Sequence, residues 1–179
     1  MDLRCRFGTG VSLLFLMLLF MVIVPISAFS AQERGLWTPS IEEPAPEFVL
    51  KDLNGEKVRL ADYRGKVVLL AFSTTWCPHC RKMPPYLNEL RSRYGDRGFV
   101  ILNIDIQESQ KKVRSYADKY NIQYRVLLDG NGAVAMAYKV RGVPSLILVD
   151  RKGTIVCRQC RSLDVLLETL FPANGAEDH

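Results

Sequence analysis

Histidine is nearly absent from this 179-residue chain, which carries only His79 and His179. That scarcity excludes a metal centre built on several imidazoles and a protease of the HExxH type. An excess of one charge is also missing, because outside the first thirty residues 22 basic side chains face 18 acidic ones. A nucleic-acid binder shows a denser basic stripe than that. Internal repeats and low-complexity tracts do not stand out. Cysteine is sparse but patterned: Cys5 stands alone near the N-terminus, and the other four form the pairs Cys77/Cys80 and Cys157/Cys160.

One long apolar run exists, and it is confined to the leader. Arg4 and Arg6 precede positions 11–24, interrupted only by Ser12, before Pro25 and a small-residue stretch that includes Ala28 and Ser30. This is the layout of a secretory signal cleaved after Ser30. Fourteen residues fall short of the ~20 of a membrane-spanning helix, although continuation through Phe29 would suit an uncleaved anchor. The positive flank stays in the cytoplasm, so either outcome exports residue 35 onward, to the periplasm or another extracytoplasmic compartment. Cys5 lies before the apolar run, where a lipoprotein cysteine does not belong, and receives no function.

The remaining 149 residues suit one domain, with apolar content of about 44%. Positions 31–44 read as an extended lead-in segment, 45–171 as the domain and 172–179 as a flexible tail. Asp52-Leu53-Asn54-Gly55 between two short apolar runs predicts a β-hairpin. Continuous apolar runs at 67–72, 99–104, 125–128 and 145–149 predict buried strands. Helices are predicted after each: one carrying Leu87, Leu90 and Tyr94; one with Val113, Tyr116 and Ala117 behind a Ser109 cap; one over 133–139; and one over 163–170 behind a Ser162 cap. Strands alternating with helices imply an α/β sheet covered on both faces. The tight Asp150-Arg151-Lys152-Gly153 turn before a strand at 154–157 makes that sheet mixed.

Trp76-Cys77-Pro78-His79-Cys80 follows a predicted buried strand and opens a predicted helix, which Pro84 should kink. Free N–H groups at a helix start favour a thiolate, so Cys77 is the candidate nucleophile and Cys80, one turn on, the resolving thiol. His79 can add charge or a hydrogen bond beside ionised Cys77. A merely structural disulfide would close a loop of only four residues, where the entropic gain is smallest. A zinc site would need the second pair, which begins 77 positions after Cys80 rather than the usual 15 to 20. A redox pair is the reading that fits both residues and context.

Ala45-Pro46-Glu47-Phe48, Gly65-Lys66-Val67-Val68-Leu69, Trp76-Cys77-Pro78-His79-Cys80-Arg81, Met83-Pro84 and Val140-Arg141-Gly142-Val143-Pro144-Ser145 together resemble the exported TlpA/ResA-like thiol-disulfide oxidoreductases of the redoxin (AhpC-TSA) superfamily. The resemblance covers about 45–170. It implies a thioredoxin-like three-layer fold with an N-terminal β-hairpin, and a cis-proline at Pro144 facing the cysteines. It also implies that Trp76, Val143 and Pro144 dock protein thiol or disulfide substrates, that no dissociable cofactor or metal is needed, and that a membrane redox partner recycles the pair. Many such proteins reduce apocytochrome c cysteines, whereas the Pro78-His79 dipeptide is similar to that of oxidising DsbA-type proteins. Two departures stand out. Ala71 occupies the place of a buried acid that helps deprotonate the resolving thiol in thioredoxins, and Ser73 that of a common aromatic. Proton removal from Cys80 must then fall to water, His79 or another group.

Cys157 and Cys160 are a candidate second redox pair. In a regular strand they would stand about 10 Å apart, so pairing requires the strand to end and turn between them. The resemblance places that strand end near the active-site rim, where the pair would relay electrons to or from Cys77; a local disulfide or two unpaired thiols are the alternative. Competing functions are a copper- or zinc-handling thiol chaperone and a thiol peroxidase. The peroxidase has Thr74 in place but Leu70 where its proline belongs.

Overall fold

The computed structural model describes residues 43–160 and 163–172. The leader 1–30 with Cys5, most of the lead-in segment, the Ser162 cap and 173–179 lie outside the described residues. Among the described residues, eight strands form one mixed sheet in the order β1-β8-β7-β4-β5-β6-β2-β3. They are β1 (Glu43–Pro44), β2 (Val49–Asp52), β3 (Lys57–Arg59), β4 (Val67–Ser73), β5 (Phe99–Ile106), β6 (Arg125–Asp129), β7 (Ser145–Val149) and β8 (Thr154–Arg158). Four α-helices among the described residues cover it: α1 (Met83–Tyr94), α2 (Gln110–Lys119), α3 (Ala133–Ala137) and α4 (Leu163–Leu170).

β4 is the spine of the sheet. All seven of its residues are buried, as the unbroken apolar run requires, because it lies between parallel β5 and antiparallel β7. Val68, Leu70 and Phe72 point to one face and pack with Leu102, Ile104, Leu127 and Ile147, beneath Val134 and Ala135 of α3. Val67, Leu69 and Ala71 point to the other, against Leu87 and Leu90 of α1 and Leu163 and Leu167 of α4. The two-residue period of the strand thus yields two apolar cores and the three-layer, thioredoxin-like arrangement that the motifs imply. A fully buried Leu or Phe contributes roughly 1.5–3 kcal/mol over an exposed one, so both layers hold the strand ends in place.

Several local expectations are met with refinements. The β2–β3 hairpin turns at Asn54-Gly55, with Gly55 at φ +84° and the Asp52 carboxylate accepting the N–H groups of Asn54 and Glu56 (2.8 and 3.0 Å). Ser109 stands at the N-cap position of α2, but its hydroxyl makes no capping bond. α3 stops at Ala137, short of the expected Lys139, which takes φ +55° and turns the chain toward Pro144. The end of the lead-in segment supplies the edge strand β1, antiparallel to β8. β5 continues past the expected 104 to Ile106, which puts Asp105 inside the sheet opposite Ser73. No helix among the described residues is long and apolar enough to cross a membrane.

Candidate active site

The last residue of β4, Ser73, delivers the chain into Thr74-Thr75-Trp76 and then Cys77 at the rim of the sheet. Thr75 is held on three sides: its N–H and hydroxyl donate to the Glu108 carboxylate (2.6 and 2.7 Å), and its carbonyl accepts from Arg81 Nε (3.0 Å). Glu108 in turn pairs with Lys112 of α2. Burial pushes the Glu108 carboxyl up, but Lys112 and the two Thr75 donors outweigh it and hold the group below its ordinary value. The loop carrying the first cysteine is thereby fixed before any substrate arrives.

The helix after the cysteines differs from the expectation of a single kinked one. Cys80–Lys82 form a 3₁₀ turn and α1 begins at Met83, so Pro84 falls in its first turn, where the missing N–H costs little. The Cys80 carbonyl, which the N–H of residue 84 would otherwise serve, accepts instead from Met83 N–H and the Tyr116 hydroxyl (3.1 Å). Proline therefore starts α1 rather than bending it.

Cys77 and Cys80 are both free thiols, 4% and 2% exposed. Cys80 N–H donates to Cys77 Sγ (3.4 Å), and Cys77 Sγ–H to the carbonyl of Val143 (3.5 Å). Burial raises the Cys77 thiol, but donation from the Cys80 thiol, the N–H groups of Cys80 and His79, and the Arg81 charge more than offset it, so Cys77 ionises below its ordinary value. Burial, the neighbouring Cys77 and the charge of Asp105 push Cys80 up to about 12. The two thiols are thus differentiated, one poised to attack and one held protonated. The His79 side chain is exposed, and its contact with Cys77 runs through the backbone.

The Val143-Pro144 peptide is cis and places Val143 O against Cys77, as the resemblance implies. Beside it runs an open groove of about 570 Å³ bordered by Thr74, Trp76, Met136, Val140 and Val143. Trp76 is 61% and Met136 74% exposed, so the groove has apolar walls, and it meets Cys77 through Val143, whose carbonyl the thiol contacts. Pro78 and Pro144 are exposed on the same rim.

Below Cys80 a cavity of about 10 Å³ is lined by Ala71, Ser73, Asn103, Tyr116 and Leu146. Ser73 donates to Asn103 Oδ1 (3.0 Å), which accounts for the serine in place of an aromatic. Asn103, Asp105, Glu108 and Tyr116 escaped the sequence reading. The signal for two of them was present: Asn103 and Asp105 break the apolar pattern of Phe99-Val100-Ile101-Leu102-Asn103-Ile104-Asp105 at i and i+2, hence on one face.

Cys157 and Cys160 form a disulfide with Cα atoms 5.6 Å apart. β8 ends at Arg158 and Gln159 turns at φ +52°, the break that pairing requires. Cys160 N–H donates to Leu146 O (3.4 Å), and Leu146 lines the cavity under Cys80. Neither cysteine of this pair lines that cavity or the groove. Among the described residues no three His, Cys, Asp or Glu side chains converge as a metal site would require.

A thiol made more acidic than usual beside an open groove, with a second thiol one turn behind it, can exchange disulfides through a mixed-disulfide intermediate. In this fold the arrangement defines a redox enzyme, a thiol-disulfide oxidoreductase of the thioredoxin-like class. Comparison with known proteins narrows the class. The AhpC/TSA family matches residues 41–158, and the chain belongs to that family. It is 35% identical over 128 residues to the thiol-disulfide oxidoreductase ResA of Bacillus cereus, covering 72% of each chain. It is 40% identical over 115 residues to the thioredoxin-like protein YneN of Bacillus subtilis, covering 63% of this chain and 67% of that one. Among solved structures, the thioredoxin domain of a thiol-disulfide oxidoreductase from Bacteroides vulgatus superposes with a TM-score of 0.68 at 28% identity, over 74% of this chain and 99% of that one. A thiol:disulfide interchange protein from a Bacteroides species gives 0.67 at 30% identity, over 76% and 92%.

Proposed function

We propose that the chain is exported by its leader and reduces disulfides in protein substrates outside the cytoplasm, cysteine pairs of apocytochrome c being the substrate class. The observation that carries the reading is the pairing of Cys77, made acidic by N–H donors, with buried Cys80 held protonated, under the cis-proline loop. The substrate backbone docks along Val143 and Pro144 with its side chains toward Trp76. The Cys77 thiolate, released from its bond to Val143 O on ionisation, attacks a substrate sulfur and expels the other as a thiolate. Cys80 then attacks Cys77 Sγ, the mixed disulfide breaks, and the substrate leaves with both sulfurs reduced. The Cys77–Cys80 disulfide is re-reduced by a membrane partner, to which the N-terminal segment, if retained as an anchor, keeps the domain close. The Cys157–Cys160 disulfide serves as a local clasp at the end of β8, since neither of its cysteines lines the cavity under Cys80 or the groove.

A Cys80→Ser variant should trap substrates as mixed disulfides on Cys77, and capture of none, with wild type competent, would refute the division of labour. The midpoint potential tests direction: a value well above the thioredoxin range of about −270 mV would exclude a dedicated reductant.

A further inference from the structure

Asp105 is a buried acid at this site that the reaction above leaves without a task. It is the penultimate residue of β5, opposite Ser73 and on the face that carries Ala71 and Asn103, and is 1% exposed. As a carboxylate neither of its oxygens receives a hydrogen bond; protonated, it donates one to Glu108. Buried polar groups are ordinarily satisfied, so a carboxyl that finds its partner only when protonated, paired across the sheet with the Ser73 that lines the cavity under Cys80, calls for a functional reason. The groups that act on it come from three directions: Glu108 from the loop after β5, Lys112 and Tyr116 from α2, and Cys80 from the turn after β4. Burial first, then the charge of Glu108 and the hydrogen bond to it, push Asp105 up to about 8, with Lys112 opposing. The influence is mutual with the thiol, since the Asp105 charge raises Cys80.

Cys80 must shed a proton as it attacks. The side chains around its cavity include Ala71, Ser73, Asn103, Tyr116 and Leu146, none of which accepts a proton near neutral pH. His79 lies exposed on the outer side. We propose that Asp105 is the proton acceptor for Cys80 in the resolving step, with Glu108 tuning its readiness to accept. The proposal rests on the assignment of Cys80 as the resolving thiol. In the step, the Cys80 proton passes to the Asp105 carboxylate and the Cys80 sulfur bonds to Cys77 Sγ. The bond from Cys77 to the substrate sulfur breaks, and the substrate leaves as a thiolate. Two protein thiols are oxidised and one substrate disulfide reduced, and Asp105 later releases its proton to solvent or to the departing thiolate.

The test is rapid mixing of the full-length protein, with Cys5, Cys157 and Cys160 replaced by alanine and Cys77 and Cys80 reduced, with an aromatic disulfide such as dithiobis(nitrobenzoate). The first aryl thiolate released reports attack by Cys77 and the second reports resolution by Cys80. In wild type the second phase should accelerate with pH and level off above about 8. In Asp105→Asn it should slow at least about tenfold at neutral pH and rise with hydroxide without that plateau, while the first phase stays within about twofold. Glu108→Gln should move the plateau to lower pH, and serves as the test should Asp105→Asn fail to fold. A second phase in Asp105→Asn with wild-type rate and profile, or an unmoved plateau in Glu108→Gln, overturns the proposal. A second phase that survives in Cys80→Ser overturns instead the assignment on which it rests.

Discussion

Replacing Asp105 by asparagine should make the protein more stable at neutral pH and leave it nearly unchanged in acid. The native state favours the protonated carboxyl, because Asp105 ionises at about 8 there against an ordinary 3.8. Below 3.8 both folded and unfolded chains are protonated and the residue adds no penalty. As pH rises above that point the unfolded chain gains by ionising while the folded one does not, so the penalty grows until about 8 and then stays constant. Each pH unit is worth about 1.4 kcal/mol, and roughly three units lie below pH 7, so the penalty there is on the order of 4 kcal/mol. Asparagine nearly preserves the volume, cannot ionise, and has an N–H to offer Glu108. A gain of about 2–4 kcal/mol at pH 7 would shift a urea midpoint by about 1–2 M, taking about 2 kcal/mol per molar as the slope. Urea titrations at about pH 4, 6 and 8 should show the gain opening across that window. An Asp105→Asn protein no more stable than wild type at pH 7, or stabilised equally at every pH, would refute the reasoning.

Removing the second disulfide by Cys157→Ala with Cys160→Ala frees a four-residue loop, worth about 2 kcal/mol of chain entropy, so calorimetry should find Tm lower by about 4–8 °C. The same variant should keep the thiol exchange of Cys77 and Cys80, and loss of that exchange would revive a relay through Cys157 and Cys160. Tyr116→Phe leaves the Cys80 carbonyl with Met83 N–H as its remaining donor and should cost about 1 kcal/mol in urea unfolding; an unchanged midpoint would mean the hydroxyl contributes nothing. Phe72→Ala should cost about 3–5 kcal/mol through the cavity left among Leu70, Ile104 and Tyr138, and a loss under 1 kcal/mol would contradict the packing described.

The sheet was legible because its signals are redundant. β4 announces itself by seven apolar or small residues in a row, and the Asn54-Gly55 and Asp150–Gly153 turns set the direction of the hairpins. Cys77 and Cys80 stood out because motif and strand–helix context agree. The start of α1 is ambiguous in the sequence for a definite reason: Pro84 reads as a kink if the helix begins at Cys77, and as an ordinary first-turn residue if it begins at Met83. Nothing local reveals that Tyr116, 36 residues on, caps the carbonyl concerned. The supporting carboxyls were missed likewise, because Glu108 meets Thr75 across 33 residues, and only the parallel register of β4 and β5 brings Asp105 opposite Ser73.

That register also links the two experiments on Asp105. A single cause, burial beside the Glu108 carboxylate, should appear once as a stability that declines with pH and once as a resolving step that accelerates with pH, with inflections at the same place. Coincidence of the two would mean that the fold retains a destabilising acid because it removes the Cys80 proton, a trade of stability for chemistry. A stability effect without the kinetic one would make Asp105 a burden carried by the sheet, and Cys80 would then lose its proton to water. A kinetic inflection that moves with Glu108→Gln, unmatched in the stability profile, would place the titrating group outside β5.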